Sequence, residues 1–399
     1  MFDLFPRSNP SLPQNDSSHQ RRERARQIAK EQKEYQWDDN KPNVKGVPMA
    51  LDVPSESKPT IEWTLTVGEA GAEVAKNLLA NLDLEDELGH INEDLASARE
   101  ALASVTAGRE KSLIKSLKDL IDELVETQEQ HIKERLRELK AEDGLDAYKN
   151  LFKTLPVPDI ASTFQSDECF ARLRVAGPNP MLLSRINQLP ANFPVSREGY
   201  QQVMGGDDLQ SALEANRVYL LDYQELSLLA EHPGSSDKQV FAPLALFALT
   251  EARDELKPVA IQCGQTSEFK VAYAVVDQRD EGYWEWQVSK TIVQMSEGNY
   301  HELFVHLART HLLIEAFTVA THRHLAEKHP LNILLMPHFE GTLSINASAA
   351  GSLIAEGGPI DNIFAAEIKY TQQAAGEDRL GYDFYASMLP NDLARIFHK

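Results

Sequence analysis

Between Trp286 and Ile360 the chain makes one unusual demand on its backbone. His301, His306 and His311 recur every five residues in a segment free of glycine and proline, and the apolar run continues through Leu312, Leu313, Ile314 and Phe317. Such a run predicts a buried helix. On a regular α-helix, however, residues five apart sit about 140° apart around the axis and could not easily meet one metal ion. A local π-type turn, hydrogen-bonded from i to i+5, brings them onto one face, and such turns concentrate at functional sites. Seven of the twelve histidines lie in the 38 residues from His301 to His338, more imidazole than a helical core requires. Imidazole nitrogen suits iron, zinc, copper or nickel, and no nearby cysteine turns the site towards structural zinc. By spacing alone, a metal pair competes with histidines that are satisfied in the core or left at the surface.

The flanking residues narrow the choice. Trp286-Gln287-Val288-Ser289-Lys290 leads into the helix. After it come His306-Leu307-Ala308-Arg309-Thr310-His311, Ala320-Thr321-His322-Arg323-His324-Leu325, His329-Pro330-Leu331, Leu334-Leu335-Met336-Pro337-His338 and Ile345-Asn346-Ala347. Their order and intervals closely resemble the iron-binding core of the lipoxygenases, the non-haem iron dioxygenases of polyunsaturated fatty acids. Two earlier stretches are similar as well: Phe170-Ala171-Arg172 with Ala176-Gly177-Pro178-Asn179-Pro180, and Ala242 to Phe247 followed by Leu256 to Ile261.

The resemblance implies roles for particular residues. His306 and His311 match the first two iron ligands, and His301 the histidine that precedes them, read as structural support one layer out. Glu302 stands where many members carry Gln beside the substrate channel. Ala349 falls at the small-residue position that steers oxygen addition, where Ala is associated with S products and Gly with R. Leu353, Ile354 and Ile360 match apolar residues of the fatty-acid channel, with plain core packing as the competing reading. The implied chemistry is hydrogen abstraction from a bis-allylic methylene of an acid such as linoleate, followed by addition of O2 to give a hydroperoxide. The resemblance covers about Leu151 to Ala394. The family's remaining ligands, including a terminal Ile carboxylate, have no match here. The expectation is therefore a truncated lipoxygenase, inactive unless a second chain or an extension completes the site. The alternative is a non-catalytic relative acting as a lipid-binding or interaction module.

Charge and composition exclude other classes. A net charge of -21 argues against phosphate-backbone binding, so no nucleic-acid partner is expected. It gives a fatty-acid carboxylate no long-range attraction either, which leaves Arg309 or Arg323 as local anchors. Cys169 and Cys263 form no disulfide framework and fit a reducing compartment. No signal-like start and no run of eighteen apolar residues occurs, so a cytoplasmic protein without a transmembrane segment, at most peripheral at membranes, is expected. There is no Gly-x-Ser-x-Gly elbow and no His-Glu-x-x-His. Asp361 and Glu367 read as a solvated face rather than an acid/base pair.

The fold is expected to be mainly α. Residues 1–50 are polar and proline-bearing and read as a largely disordered tail, with the basic patch around Arg21, Arg22, Arg24 and Arg26 as a solvated face. Residues 51–150 read as a helical region in which Leu113, Leu117, Leu120 and Leu124 form a stripe; this takes the place of an initial β-sandwich, as in the compact bacterial members. Residues 151–399 read as the catalytic domain, with a small accessory sheet from strands at Val218 to Leu221, Leu244 to Leu249, Val259 to Gln262 and Val271 to Val276.

Overall fold

A computed structural model describes residues 10–60, 73–74, 76–77, 80–81, 144, 146–234 and 238–398. The chain divides into two compact units, Pro59–Phe164 and the combination of Met1–Lys58 with Gln165–Lys399. In the first, Asn77 ties its neighbours together: its Oδ1 accepts from the amides of Lys153 and Thr154 at 2.7 and 2.9 Å, and its Nδ2 donates to the Leu151 carbonyl at 2.8 Å. The predicted leucine stripe at Leu113 to Leu124 lies outside the described residues.

The second unit is mainly helical around a five-stranded sheet. Strands β3 (Ser184–Arg185), β4 (Val218–Asp222), β5 (Leu244–Leu249), β6 (Leu256–Gln262) and β7 (Val271–Tyr273) form an antiparallel meander in sequence order. The central β5, Leu-Ala-Leu-Phe-Ala-Leu, is apolar throughout because both of its faces are covered. Ala245 and Phe247 enter the main core with Leu221 and Ile261, while Leu244, Leu246 and Ala248 enter a second core with Val218 and Leu220. Pro258 interrupts β6 at a register shift, where Leu246 pairs with Ala260 and Phe247 with Pro258. The skipped Val259 makes a bulge, the position at which a strand tolerates a proline, and it sends Val259 and Ala260 into the same core.

Helix α2 (Asp167–Ala176), behind the cap Ser166, packs on this sheet and carries the buried Arg174, which pairs with Glu297 at 3.2 Å. The main helix follows as α3 (Tyr283–Tyr300), a π-helical segment (His301–Leu312) and α4 (Leu313–His324). By length and composition this continuous helix could cross a membrane. Trp286, Val293, Leu303, Phe304, Ala308 and Leu312 nevertheless pack into the same core as the sheet. The fully buried Trp286 donates its indole N–H to Asp167 at 2.9 Å, and Lys290 meets the same carboxylate at 2.7 Å. Beyond α4 come α5 (Thr342–Ser348), a second π-helical turn (Ala349–Leu353) and α6 (Ile368–Gly381).

The expected tail is where structure and sequence differ most. Residues 10–50 are packed, not disordered. Helix α1 (Ser18–Glu34) starts with a reciprocal Ser17–Gln20 capping box and lies along α4. A strap follows, closed by the antiparallel pair β1 (Trp37–Asp38) and β2 (Met49–Ala50). Its Val44, Val47 and Met49 are buried in the main core. Few apolar residues do this work, which is why polarity suggested disorder. Arg21, Arg22 and Arg26 are exposed, as a solvated face should be, whereas Arg24 pairs with Asp16 at 2.6 Å.

Tyr35, fully buried, stacks on His322 with ring centroids 3.8 Å apart, and Arg323 donates to the carbonyls of Gln32 and Tyr35. Burial pushes the His322 imidazole down to about 4, from an ordinary 6.5. Between those values the unfolded chain binds more protons than the folded one, so this contribution to stability is complete above the unfolded value and is lost as pH falls towards 4. Urea unfolding should therefore show wild-type stability falling by roughly 1–3 kcal/mol on acidification through that window. The buried Glu31 carboxyl, whose proton affinity burial raises, offsets part of the loss. His322→Phe keeps the stack without the proton site and should fall less; equal falls would contradict this account.

Candidate functional site

The π-helical segment does what the five-residue spacing requires. Its hydrogen bonding reaches five residues back, as in the Leu313 amide to the Ala308 carbonyl. The Thr310 hydroxyl also bonds to the Val305 carbonyl at 2.8 Å. The widened turns place the His306 and His311 rings together, with centroids 4.6 Å apart and planes inclined by 73°. Their Nε2 atoms face each other at 3.0 Å.

The partners of the opposite ring nitrogens decide which atoms are free to bind. His306 Nδ1 lies 2.9 Å from Glu302 Oε2, and His311 Nδ1 lies 2.7 Å from Asn346 Oδ1. The Asn346 amide is oriented independently, since its Nδ2 donates to the His311 carbonyl at 3.0 Å and to Glu315 Oε2 at 2.7 Å. A carboxylate and an amide oxygen only accept, so both imidazoles carry their proton on Nδ1 and present a lone pair at Nε2. Between two neutral imidazoles, a hydrogen bond across the Nε2 atoms would require one proton to leave Nδ1 and break a bond to Glu302 or Asn346. Two facing lone pairs are reconciled by a cation. Ligand nitrogens each ~2.1 Å from one ion lie at most ~4.2 Å apart, so the observed spacing fits a shared metal. Burial also favours the neutral form of His311, lowering its proton affinity.

His301 stands apart from this pair. Its ring lies parallel to that of His306 with centroids 6.1 Å apart, and its Nδ1 meets Asn179 Oδ1 at 3.0 Å. Asn179 in turn donates to the Glu297 carbonyl at 3.2 Å, which joins the Ala176 to Pro180 stretch to the main helix. Two of the remaining clustered histidines have other duties. His322 is in the α1–α4 packing, and His329 caps the helix Pro330–Leu335 by accepting from the Leu331 amide.

A cavity of about 320 Å³ opens against the two imidazoles. Glu302, His306, His311, Ala349, Leu353, Ile354 and Ile360, all singled out from sequence, line it together. Leu229, Leu303, Leu307, Ile345, Phe364 and Ala366 complete its apolar walls, and Asn299 and Thr371 add two polar side chains. No Lys or Arg lines it among the described residues, and this corrects the expected anchors. Arg309 turns away to Asp378 at 2.6 Å, the Tyr300 hydroxyl at 3.1 Å and Glu225 at 3.2 Å. Arg323 is consumed by the carbonyls after α1. An ion met at the surface of the fold is more stable paired there than unpaired in an apolar cavity.

Two residues of the site carried no role in the sequence reading, Asn346 and Glu315. Both interrupt apolar helical runs, Ile345-Asn346-Ala347 and Leu313-Ile314-Glu315-Ala316-Phe317. Polar groups so placed need buried partners, and that is the signal by which they could have been found.

A lipoxygenase family profile matches residues 85–396. The linoleate 9/13-lipoxygenase of Pseudomonas aeruginosa is 42% identical over 96% of this chain and 60% of its own length. The linoleate 9S-lipoxygenase B of Solanum lycopersicum is 30% identical over 66% of this chain and 32% of its own. Among solved structures, a calcium-dependent 11R-lipoxygenase superposes with a TM-score of 0.71 at 21% identity, covering 97% of this chain and 51% of that one. The coral 8R-lipoxygenase gives 0.70 at 22% identity, covering 98% and 50%. The chain thus spans 60% of the bacterial relative and about half of each solved structure.

Ala349 is buried at the cavity wall, so Ala349→Phe should fill space now open beside His311. Titration with the fluorescent apolar probe ANS should show about tenfold weaker binding, equivalent to ~1.4 kcal/mol. Unchanged affinity would mean that the cavity is not where apolar ligands go.

Proposed function

The chain belongs to the lipoxygenase family, and from that premise we propose that its cavity holds a polyunsaturated fatty acid, such as linoleate, for iron-dependent dioxygenation to a hydroperoxide. The observation that carries this reading is the meeting of two imidazole lone pairs, 3.0 Å apart, at the wall of an apolar cavity. His306 and His311 would hold the iron through Nε2, and a bound iron would supply the one-electron redox chemistry that hydrogen abstraction needs. Imidazole nitrogens suit that ion, and no thiolate competes.

The chain's own residues do the rest. Glu302 and Asn346 orient the two rings and keep their Nε2 atoms unprotonated. Leu303, Leu307, Ile354 and Ile360 bury the hydrocarbon and set which methylene lies beside the imidazoles. Ala349, with its short side chain, leaves room beside that carbon for O2. With no cation in its lining among the described residues, the cavity selects the hydrocarbon chain by shape, and the acid's carboxylate stays outside it. His301 braces the segment through Asn179.

Two imidazoles leave most of an iron coordination sphere to other donors. We therefore expect the 399-residue chain alone to be inactive, with the remaining ligands coming from a second chain or from further residues. Iron analysis together with conjugated-diene absorbance after adding linoleate tests this. The purified chain should hold substoichiometric iron and form no diene, and His311→Ala should remove what iron is bound. Saturable dioxygen uptake with linoleate by the isolated chain would overturn the incompleteness. Iron retained undiminished by a variant lacking both histidines would overturn the site.

A further inference from the structure

Behind His311 a line of hydrogen bonds runs out of the cavity and ends on the amino-terminal strap. His311 Nδ1 donates to Asn346 Oδ1 at 2.7 Å, Asn346 Nδ2 donates to Glu315 Oε2 at 2.7 Å, and the Ala50 amide donates to Glu315 Oε1 at 2.7 Å. Glu315 is 1% exposed and Asn346 2% exposed. A second contact joins the same strap to the site wall: Asn43 Nδ2 donates to the Ala350 carbonyl at 2.7 Å, one residue beyond Ala349. The Ala50 amide faces Glu315, while the neighbouring Leu51 amide bonds to the Gln36 carbonyl.

We propose that Glu315 is a positioning residue that sets the tautomer of His311, and that the strap around Ala50 holds Glu315 in place to do so. A carboxylate with two bare oxygens accepts from both Ala50 and Asn346. Together with the His311 carbonyl, which accepts from the same Nδ2 at 3.0 Å, that leaves the Asn346 amide a single orientation, with its oxygen towards His311. An oxygen there demands a proton on Nδ1, and the Nε2 lone pair facing His306 follows. An amide at position 315 could not serve both donors. Keeping the Ala50 bond would set its NH2 against Asn346 Nδ2, and relief by a flip of Asn346, at the expense of its bond to the His311 carbonyl, would aim an N–H at His311 Nδ1. The imidazole would then move its proton to Nε2, the atom that meets His306. The strap, polar enough to pass for a tail, is on this reading part of the site's scaffold.

This inference rests on the iron-site reading for its purpose, but the tautomer can be measured without any metal. In long-range ¹H–¹⁵N spectra of the metal-free full chain, His311 should be the Nδ1–H tautomer in wild type. In Glu315→Gln roughly half or more of it should shift to Nε2–H, with His301 unchanged as the internal control. Cobalt(II) affinity should fall about 10–100-fold in the same variant. An Nε2–H tautomer in wild type, or a Glu315→Gln protein whose His311 and cobalt affinity match wild type, would overturn the proposal. If wild type takes up no cobalt(II), the iron-site reading fails, while the tautomer comparison still decides the role of Glu315. Should the His301 signal be lost, showing that Glu315→Gln has disturbed the fold, Ala50→Pro tests the relay from its other end. It deletes the donated amide, and cobalt affinity should fall about fivefold or more with His301 intact; unchanged affinity would overturn the proposal.

Discussion

The site depends on a helix wound more loosely than an α-helix over His301–Leu312. In α-helical register His306 and His311 would point to different sides of the rod, whatever their chemistry. A π-helix is rare, and it persists here because the surroundings hold it. The core helices α3 and α4 continue it at both ends, with Trp286, Val293 and Val319 fully buried. Along its length Arg309 bonds to Asp378 of α6, and Arg379 of α6 donates to the Leu312 carbonyl. The arginine expected to attract a substrate instead keeps the widened turns docked.

From that register follows a division of labour among few atoms. Glu302 comes from the π-helical segment itself, Asn346 from α5, Glu315 from α4 and the Ala50 amide from the strap. Each contributes an acceptor or a donor that the next one needs. On the other side of the imidazoles the walls are apolar and carry no cation among the described residues. The imidazole lone pairs thus meet a cavity whose lining is mostly hydrocarbon, with Asn299, Glu302 and Thr371 as its other polar members. Selection in such a cavity comes from shape and length.

What the sequence made legible and what it hid have separate physical causes. The main helix with its π turn, and strands at Val218, Leu244, Val259 and Val271, follow from local periodicity and apolar runs, and the structure has them, the last ending at Tyr273 instead of Val276. Leu353, Ile354 and Ile360 were ambiguous between core and cavity, because an apolar side chain reads alike in both; they line the cavity. The strap was misjudged because its burial rests on Tyr35, Val44, Val47 and Met49, too few to mark a polar stretch as ordered. Arg309 was misassigned because its partner Asp378 is 69 residues away and no local pattern joins them. Asn346 and Glu315 went unassigned for the same reason, since each takes its meaning from a partner on another element.

In the proposed site one ion would be gripped by both Nε2 atoms of the π-helical pair. This is tested most directly by an anomalous difference map from a crystal of the protein loaded with cobalt(II). The account predicts a single peak within about 2.5 Å of His306 Nε2 and His311 Nε2 together. A peak on one ring only, or rings turned so that the two nitrogens no longer face a common point, would contradict it.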